Sequence, residues 1–546
     1  MVSDDELRWR LGLLKKALDE DKISIAPHLI REFQKSLGAV RTGSDGLIDL
    51  STVDGRIRSM ALAIQHFHQR DEAKDLISLA EVQHRYFEFI EATFGEIHRF
   101  MKEKGSDPHA VSWIISRDPE AVSGNIALIT PFIEDLANLW SAVAESCEYH
   151  IQDLKNLKGV FGGDLFPSYE RNIASTTGLY LDTIVLTDPF MNSRMMFQKW
   201  DDETAVRFFI KHGLNVLNYR DLALAKLDIP IVVIVPFKSS IDEADADILM
   251  RMAMPDAIRH ASTLFGRHFE NVEDLWKFAD GLDSVEKAVS AIHRPDRFLI
   301  DTEWTGPIAE QLAKATADNV AAVGMDHPGE YLFNQCVGRM RQATDVLMKS
   351  QNLLGTPLID AETSWRYLNW KLEYDAAFGP DKLVPLHTVK GLQRIGKTDM
   401  EWIGNIPPQA LIEMRQQGAM EDIRSMLTNG MSEVAEANPS NFFRSADLIV
   451  DNIQNAFELH QENVRAIRSK GLKFWGKDIG SWIVKGSIEM GAAIVGTPAM
   501  GLAALAIDQV IDSPKLNEIP ERYRKLRAAK DEHAKSPMGL LFKHKV

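Results

Sequence analysis

Apolar residues recur at steps of three and four over most of this chain. The clearest run is Asp71 to Lys104, where Leu79, Val82, Tyr86, Ile90, Phe94, Ile97 and Met101 fall on one stripe. That period belongs to an amphipathic helix with one buried face, so the stretch is expected as a single long helix. A second helix is expected through Ile133, Leu136, Leu139, Trp140 and Val143, with Pro131 near its beginning. The window from Asp4 to about Leu157 repeats in this way throughout and reads as an N-terminal helical bundle, residues 1–158, with a packing or docking role.

The period changes at two places. Leu179 to Phe190 and Ile229 to Pro236 are short, rich in β-branched residues and bounded by Pro or Gly, which marks buried strands. Helical sequence through Trp200 to His212 and Val216 to Leu227 separates them, so strand, helix and strand spell a parallel, right-handed crossover. Gly159 to Pro167 holds three glycines and a proline and is read as a domain boundary. Helical patterns resume from Ile241 to Met254, Val272 to Ala279, Val285 to Ile292, Ile308 to Val323 and Glu330 to Lys349. The chain loosens between Gly379 and Ile406. Pro407-Pro408 then opens a helix at its favoured first turn, and a long amphipathic helix is expected from about Phe442 to Ser469. The fold class is therefore mainly α: multi-helical bundles with a small α/β, βαβ-like element in the middle. The divisions are 1–158, a mixed region 159–355 holding the strands, a second helical region 356–470, and 471–546.

Composition narrows the function classes. Of 546 residues 45% are hydrophobic and 26% charged, which excludes disorder over most of the length. A net charge of -16 with a pI near 5.5 repels phosphate backbones, so no global nucleic-acid binding is expected. The two cysteines, Cys147 and Cys336, have no metal or disulfide spacing. Acids at the N-terminus without an apolar run behind them do not make a signal peptide, and a cytoplasmic location is expected.

Three motifs bear on chemistry. Tyr180-Leu-Asp-Thr-Ile-Val-Leu186 resembles the opening strand of PIN-type nucleases. That resemblance implies a cluster of acids around Mg or Mn, with Asp182 joined by Asp188 or by Asp247 as catalytic and metal-holding residues, although Ile184 stands where the family usually has Asn. Leu299-Ile-Asp-Thr-Glu-Trp-Thr-Gly306 resembles the first motif of DEDD-type exonucleases, which implies metal ligation by Asp301 and Glu303. Gly391-Leu-Gln-Arg-Ile-Gly-Lys-Thr398 satisfies the P-loop expression, and would place Gly391, Gly396 and Lys397 around phosphates and Thr398 on Mg²⁺ if a strand preceded it and a helix followed. Glu81 and His84 have the spacing seen in ferritin-like di-iron bundles, without the second copy that such a site needs. Outside these alternatives no cofactor is expected. None of the resemblances extends beyond a short motif.

The last stretch differs in character. Met490 to Ile507 carries no charge and reaches the ~18-residue lower limit of a membrane span. Lys470, Lys473 and Lys477 precede it, and Arg522, Arg524 and Lys525 follow it, against the acidic average. Gly491, Gly496 and Gly501 allow close helix packing, and Trp475 and Trp482 offer anchors. The expected function is that of a large helical protein acting through protein contacts, with a protein partner or by self-association. The C-terminal segment would be its assembly or effector surface, with conditional membrane contact through 479–511. The metal-dependent nuclease is the alternative, and nucleotide binding at Gly391 to Thr398 the third reading.

Overall fold

The computed structural model describes residues 3–44, 46–162, 172–237, 243–300, 304–323, 327–374, 380–395, 406–437 and 443–469, together with a short antiparallel pairing of 473–474 with 477–478. The protein is mainly α with a small parallel sheet. Its contacts divide it into two units, one formed by 1–82 with 142–153 and the other by 83–141 with 154–546.

The first unit begins with helices Asp4–Asp19, Pro27–Ala39 and Gly55–Leu76. Ser3 caps the first through the amide of Glu6, and Asp54 caps the third through the amide of Ile57, each satisfying an orphan donor of the first turn. Leu7, Leu11, Leu14, Phe33, Ile57 and Ala61 fill the small core between them. Asp153 receives both Arg70 and Lys74, and His150 Nε2 lies 2.9 Å from the carbonyl of Ile77.

The second unit is built on four parallel strands in the order β3-β2-β1-β4: β1 Lys158–Phe161, β2 Thr183–Thr187, β3 Val232–Val235 and β4 Thr356–Leu358. The expected strands are present as β2 and β3, parallel, with Ile184 beside Val232 and Leu186 beside Ile234. All five residues of β2 and all four of β3 are buried, which explains their unbroken apolar runs. A second apolar cluster joins helices Glu243–Phe265, Pro328–Asn352 and Glu362–Tyr374 through Leu264, Leu332, Met340 and Tyr367.

Four expectations need correction. Gly159, read as the start of a domain boundary, lies inside β1. The run Asp71 to Lys104 is not one helix. It breaks at Ile77, which is extended, and Ser78 starts a new helix, Leu79–Glu103, by accepting the amide of Glu81 at 3.2 Å. Pro131 sits well inside helix Pro119–Asp153 rather than near its beginning. The stretch after Gly379 that was read as loose forms helix Pro380–Ile395 with Pro385 inside it.

Candidate functional site

In open α/β sheets ligands bind beyond the carboxyl ends of the strands. At that edge Asp188 follows the last residue of β2, and it is fully buried. Its Oδ1 accepts the amides of Phe190 at 2.8 Å and Met191 at 3.1 Å, capping the turn Pro189–Asn192. Its Oδ2 accepts Trp140 Nε1 at 2.7 Å. The Tyr86 hydroxyl lies against the same carboxyl group, without the alignment of a full hydrogen bond. Burial pushes the Asp188 pKa up to about 6 and outweighs the amide and indole donors that favour the anion. Burial likewise pushes the Tyr86 phenol well up, with the Asp188 charge adding to it.

One turn on, Ser193 Oγ lies 3.2 Å from His212 Nε2, and both are buried. Burial and the nearby Lys211 ammonium push His212 down to about 3, so its imidazole is neutral at physiological pH. The Asp188 carboxyl is enclosed in aromatic packing, where Phe132 and Phe209 meet Phe94 and Phe190 edge to face or tilted and Phe94 stacks with Phe190. A carboxylate enclosed in this way holds a chain reversal in place and has donors on both oxygens.

Asp182 stands at the other end of β2. The five residues of β2 separate it from Asp188, six steps of strand or about 20 Å at the usual rise, whereas a carboxylate oxygen that ligates Mg²⁺ or Ca²⁺ stands about 2.0–2.6 Å from the ion. The two therefore cannot hold one ion. Asp182 Oδ1 pairs with Arg424 Nη2 at 2.6 Å, and Oδ2 accepts the amide of Leu157 at 3.0 Å. Arg424 also donates to the carbonyl of Tyr180, and Arg415 donates to those of Gly178 and Leu181. Thr183 is similarly engaged, donating to the carbonyl of Pro230 and accepting from Asn156. The first residues of the nuclease-like motif thus tie the helices Pro408–Gln416 and Met420–Thr428 to the start of the sheet. Asp247 is exposed on helix Glu243–Phe265. Among the described residues no three His, Cys, Asp or Glu side chains converge as a metal site.

Gly391 lies within helix Pro380–Ile395, so a helix stands where the P-loop reading needs a strand. A Cβ there would come 2.7 Å from Ile449, which makes this glycine a close-packing position against helix Phe443–Ser469. Gly396, Lys397 and Thr398 lie outside the described residues, as do Asp301, Glu303, Trp475, Trp482, Gly491, Gly496 and Gly501. Glu81 and His84 are exposed on their helix, where His84 is 3.2 Å from Glu88.

One feature was not anticipated from the sequence: a groove of about 320 Å³ between the end of helix Leu79–Glu103 and helix Pro108–Ile115. It is lined by Glu96, Ile97, Phe100, Val111, Ile114 and Ile115. Phe100 and Ile114 are 55% and 66% exposed, and the neighbouring Trp113 is 39% exposed. Ile97 falls on the helical stripe already visible in the sequence and Phe100 does not, and periodicity alone does not say which residues are left uncovered.

Comparison with protein families, curated proteins and solved structures finds no match. Among the described residues one helix, Pro119–Asp153, is long and apolar enough by length and composition to cross a membrane. Phe132, Leu136 and Trp140 of that helix are buried in the packed interior.

Proposed function

We propose that the chain acts through protein contacts, by self-association or by holding a partner, with residues 474–511 as an assembly or effector surface. The observation that carries the reading is the apolar groove beside Phe100 and Ile114, since contiguous exposed apolar surface of this kind marks contact sites in folded proteins. The acids proposed for nuclease chemistry add no competing support, because Asp182 is held by Arg424 and Asp188 is enclosed by its amide and indole donors. The part played by 474–511 rests on the sequence alone, on the reversal from acidic to basic charge around an uncharged run. Membrane contact through 479–511 and a cytoplasmic location belong to the same proposal.

The full chain and a chain lacking 479–546 are to be compared by analytical ultracentrifugation and by flotation with phosphatidylcholine/phosphatidylserine vesicles. The expected result is that the truncated chain loses self-association or vesicle binding. Identical behaviour of the two proteins in both measurements overturns the assignment of this segment.

A further inference from the structure

We propose that the cleft between helices Met420–Thr428 and Phe443–Ser469 holds the chain's own basic segment, Arg522 to Lys530, by its arginine and lysine side chains. The proposal goes beyond the part given to 474–511 and does not rest on it.

One buried amide builds the cleft. Asn452 is 8% exposed, and its Nδ2 donates to the carbonyls of Leu427 at 3.3 Å and Asn429 at 2.9 Å, pinning the end of the first helix to the second. Two accepting carbonyls fix which end of the amide is the nitrogen, so Oδ1 faces away from them. That oxygen has no hydrogen-bond partner among the described residues. Asn452 lines a hollow of about 440 Å³ with Asp422, Met426, Asn455, Ala456 and Leu459, a volume within the range of ligand sites. Asp422 is exposed, and no basic side chain pairs with it among the described residues.

Both of these groups accept and neither donates. A ligand that satisfies them brings N–H donors and positive charge, as a guanidinium or an ammonium does. Met426, Ala456 and Leu459 give the methylene stem of such a side chain an apolar wall. The surroundings carry the same sign. From 419 to 459 the chain has seven acids against Arg424 and Arg444, and Arg424 is committed to Asp182. Asp447, Asp451 and Glu458, at steps of four and seven, share one exposed flank of their helix beside the stripe of 452, 455, 456 and 459. Anionic lipid, phosphate backbones and a second copy of the same cleft all bring negative charge against these carboxylates.

The occupant is within the chain. Arg522, Arg524, Lys525, Arg527 and Lys530 fall in nine residues without an acid, the densest basic run of the sequence. The cleft's longer wall ends at Ser469, about 15 Å past Leu459 along the helix. Even at the rise of a helix, about 1.5 Å per residue, the 52 residues between Ser469 and Arg522 cover several times that distance. A tether makes docking intramolecular, at an effective concentration up to about millimolar, which a free basic partner has to exceed.

The test follows the anisotropy of a fluorescein-labelled peptide of residues 520–532 with two full-length proteins. One is wild type; the other is a tail variant with Arg522→Ser, Arg524→Ser, Lys525→Ser and Arg527→Ser, which keeps 474–511 and every described residue. The peptide is expected to bind the tail variant at least about tenfold more tightly than wild type, whose own segment competes. Adding Asp422→Lys to the tail variant is expected to weaken the peptide about tenfold or more. Asp422 is exposed, so the interior is untouched. A second combination, Asp447→Asn with Asp451→Asn and Glu458→Gln, is expected to weaken it and to flatten its salt dependence. Equal binding to wild type and the tail variant overturns the proposal, because the chain's own segment then does not hold the cleft. So does binding that Asp422→Lys leaves unchanged, or no binding to the tail variant. Sedimentation supplies the last arm: self-association of wild type that is lost both in the tail variant and with Asp422→Lys assigns the segment to a second copy and overturns docking within one chain. Failure of 474–511 as a contact surface changes none of these readings.

Discussion

The side-chain amide of Gln83 completes the edge of the sheet at Ile234. Its Oε1 accepts the Ile234 amide and its Nε2 donates to the Ile234 carbonyl, both at 2.8 Å. β3 is an edge strand, so these two groups would otherwise face a helix with no partner. A single glutamine on helix Leu79–Glu103, almost fully buried, thus does the work of one residue of a fifth strand.

Gln83→Leu should leave both backbone groups unsatisfied at nearly unchanged volume. The expected cost is about 1–3 kcal/mol, read as a lower urea midpoint for the transition that exposes the sheet. Gln83→Glu should be worse than Gln83→Leu in one respect: it keeps the acceptor for the amide but places a charge against the carbonyl. A Gln83→Leu protein as stable as wild type would show that water takes over both bonds.

Asp182 and Arg424 give the second prediction. Their side chains are largely buried, and Arg424 also holds the Tyr180 carbonyl. Arg424→Met should leave the carboxylate partly desolvated with only the Leu157 amide, at a cost of about 3 kcal/mol. The double variant Arg424→Met, Asp182→Asn should recover part of that loss, because the uncompensated charge is gone. If the single and double variants unfold alike, the pair is not coupled. Purified wild-type protein is expected to show the same stability with and without added Mg²⁺ or Mn²⁺; a metal-dependent rise that Asp182→Asn abolishes would return Asp182 to the nuclease reading.

These residues also show what could be read in the sequence. β2 and β3 were legible because every residue in them is buried, leaving unbroken β-branched runs between Pro and Gly. β1 was not: Lys158 and Gly159 fill half of it, and Lys158 is buried with its ammonium donating to the carbonyl of Leu154. β4 hides behind Pro357, tolerated because β4 is the other edge strand. Asp182 and Asp188 look like a pair six residues apart in the text, yet an extended strand carries them to opposite ends of the sheet. Trp140 and Tyr86 were legible as core positions; that their polar tips meet at Asp188 depends on long-range packing that periodicity does not encode.

Gly329 provides a steric prediction. It lies at the start of helix Pro328–Asn352, and its amide donates to the carbonyl of Leu282 at 3.0 Å. A Cβ at this position would stand 1.9 Å from the Ala279 carbonyl oxygen, and a backbone atom cannot turn aside as a flexible side chain can. Gly329→Ala should therefore cost at least the 1–3 kcal/mol or so typical of overpacking, despite the higher helix propensity of alanine. Gly338 in the same helix meets nothing within 4 Å. Gly338→Ala should be neutral or stabilising by up to about 1 kcal/mol. Equal melting temperatures for the two variants would count against the close approach at Gly329.

Asp188 makes the stability of β2 depend on pH. Its pKa rises from 3.8 to about 6 on folding, so the folded state holds this proton more tightly than the unfolded chain. Below 3.8 the carboxyl is protonated in both states and the contribution is fully present; it is lost as pH rises through the folded value near 6. The loss amounts to about 3 kcal/mol. His212 acts with the opposite sign, since its lowered pKa withdraws stability as pH falls below 6.5, and because it moves further, from 6.5 to about 3, it more than offsets the Asp188 effect in wild-type protein. Asp188→Asn isolates it. Asparagine keeps an oxygen for capping and cannot ionise. Amide-exchange protection across Thr183–Thr187 is the measurement, taken as the ratio of variant to wild type at each pH so that intrinsic exchange chemistry and His212 cancel. That ratio should rise by one to two orders of magnitude between pH 4 and pH 7, with most of the change below pH 6.5. A ratio that stays flat across this range would mean that the buried carboxyl keeps an ordinary pKa.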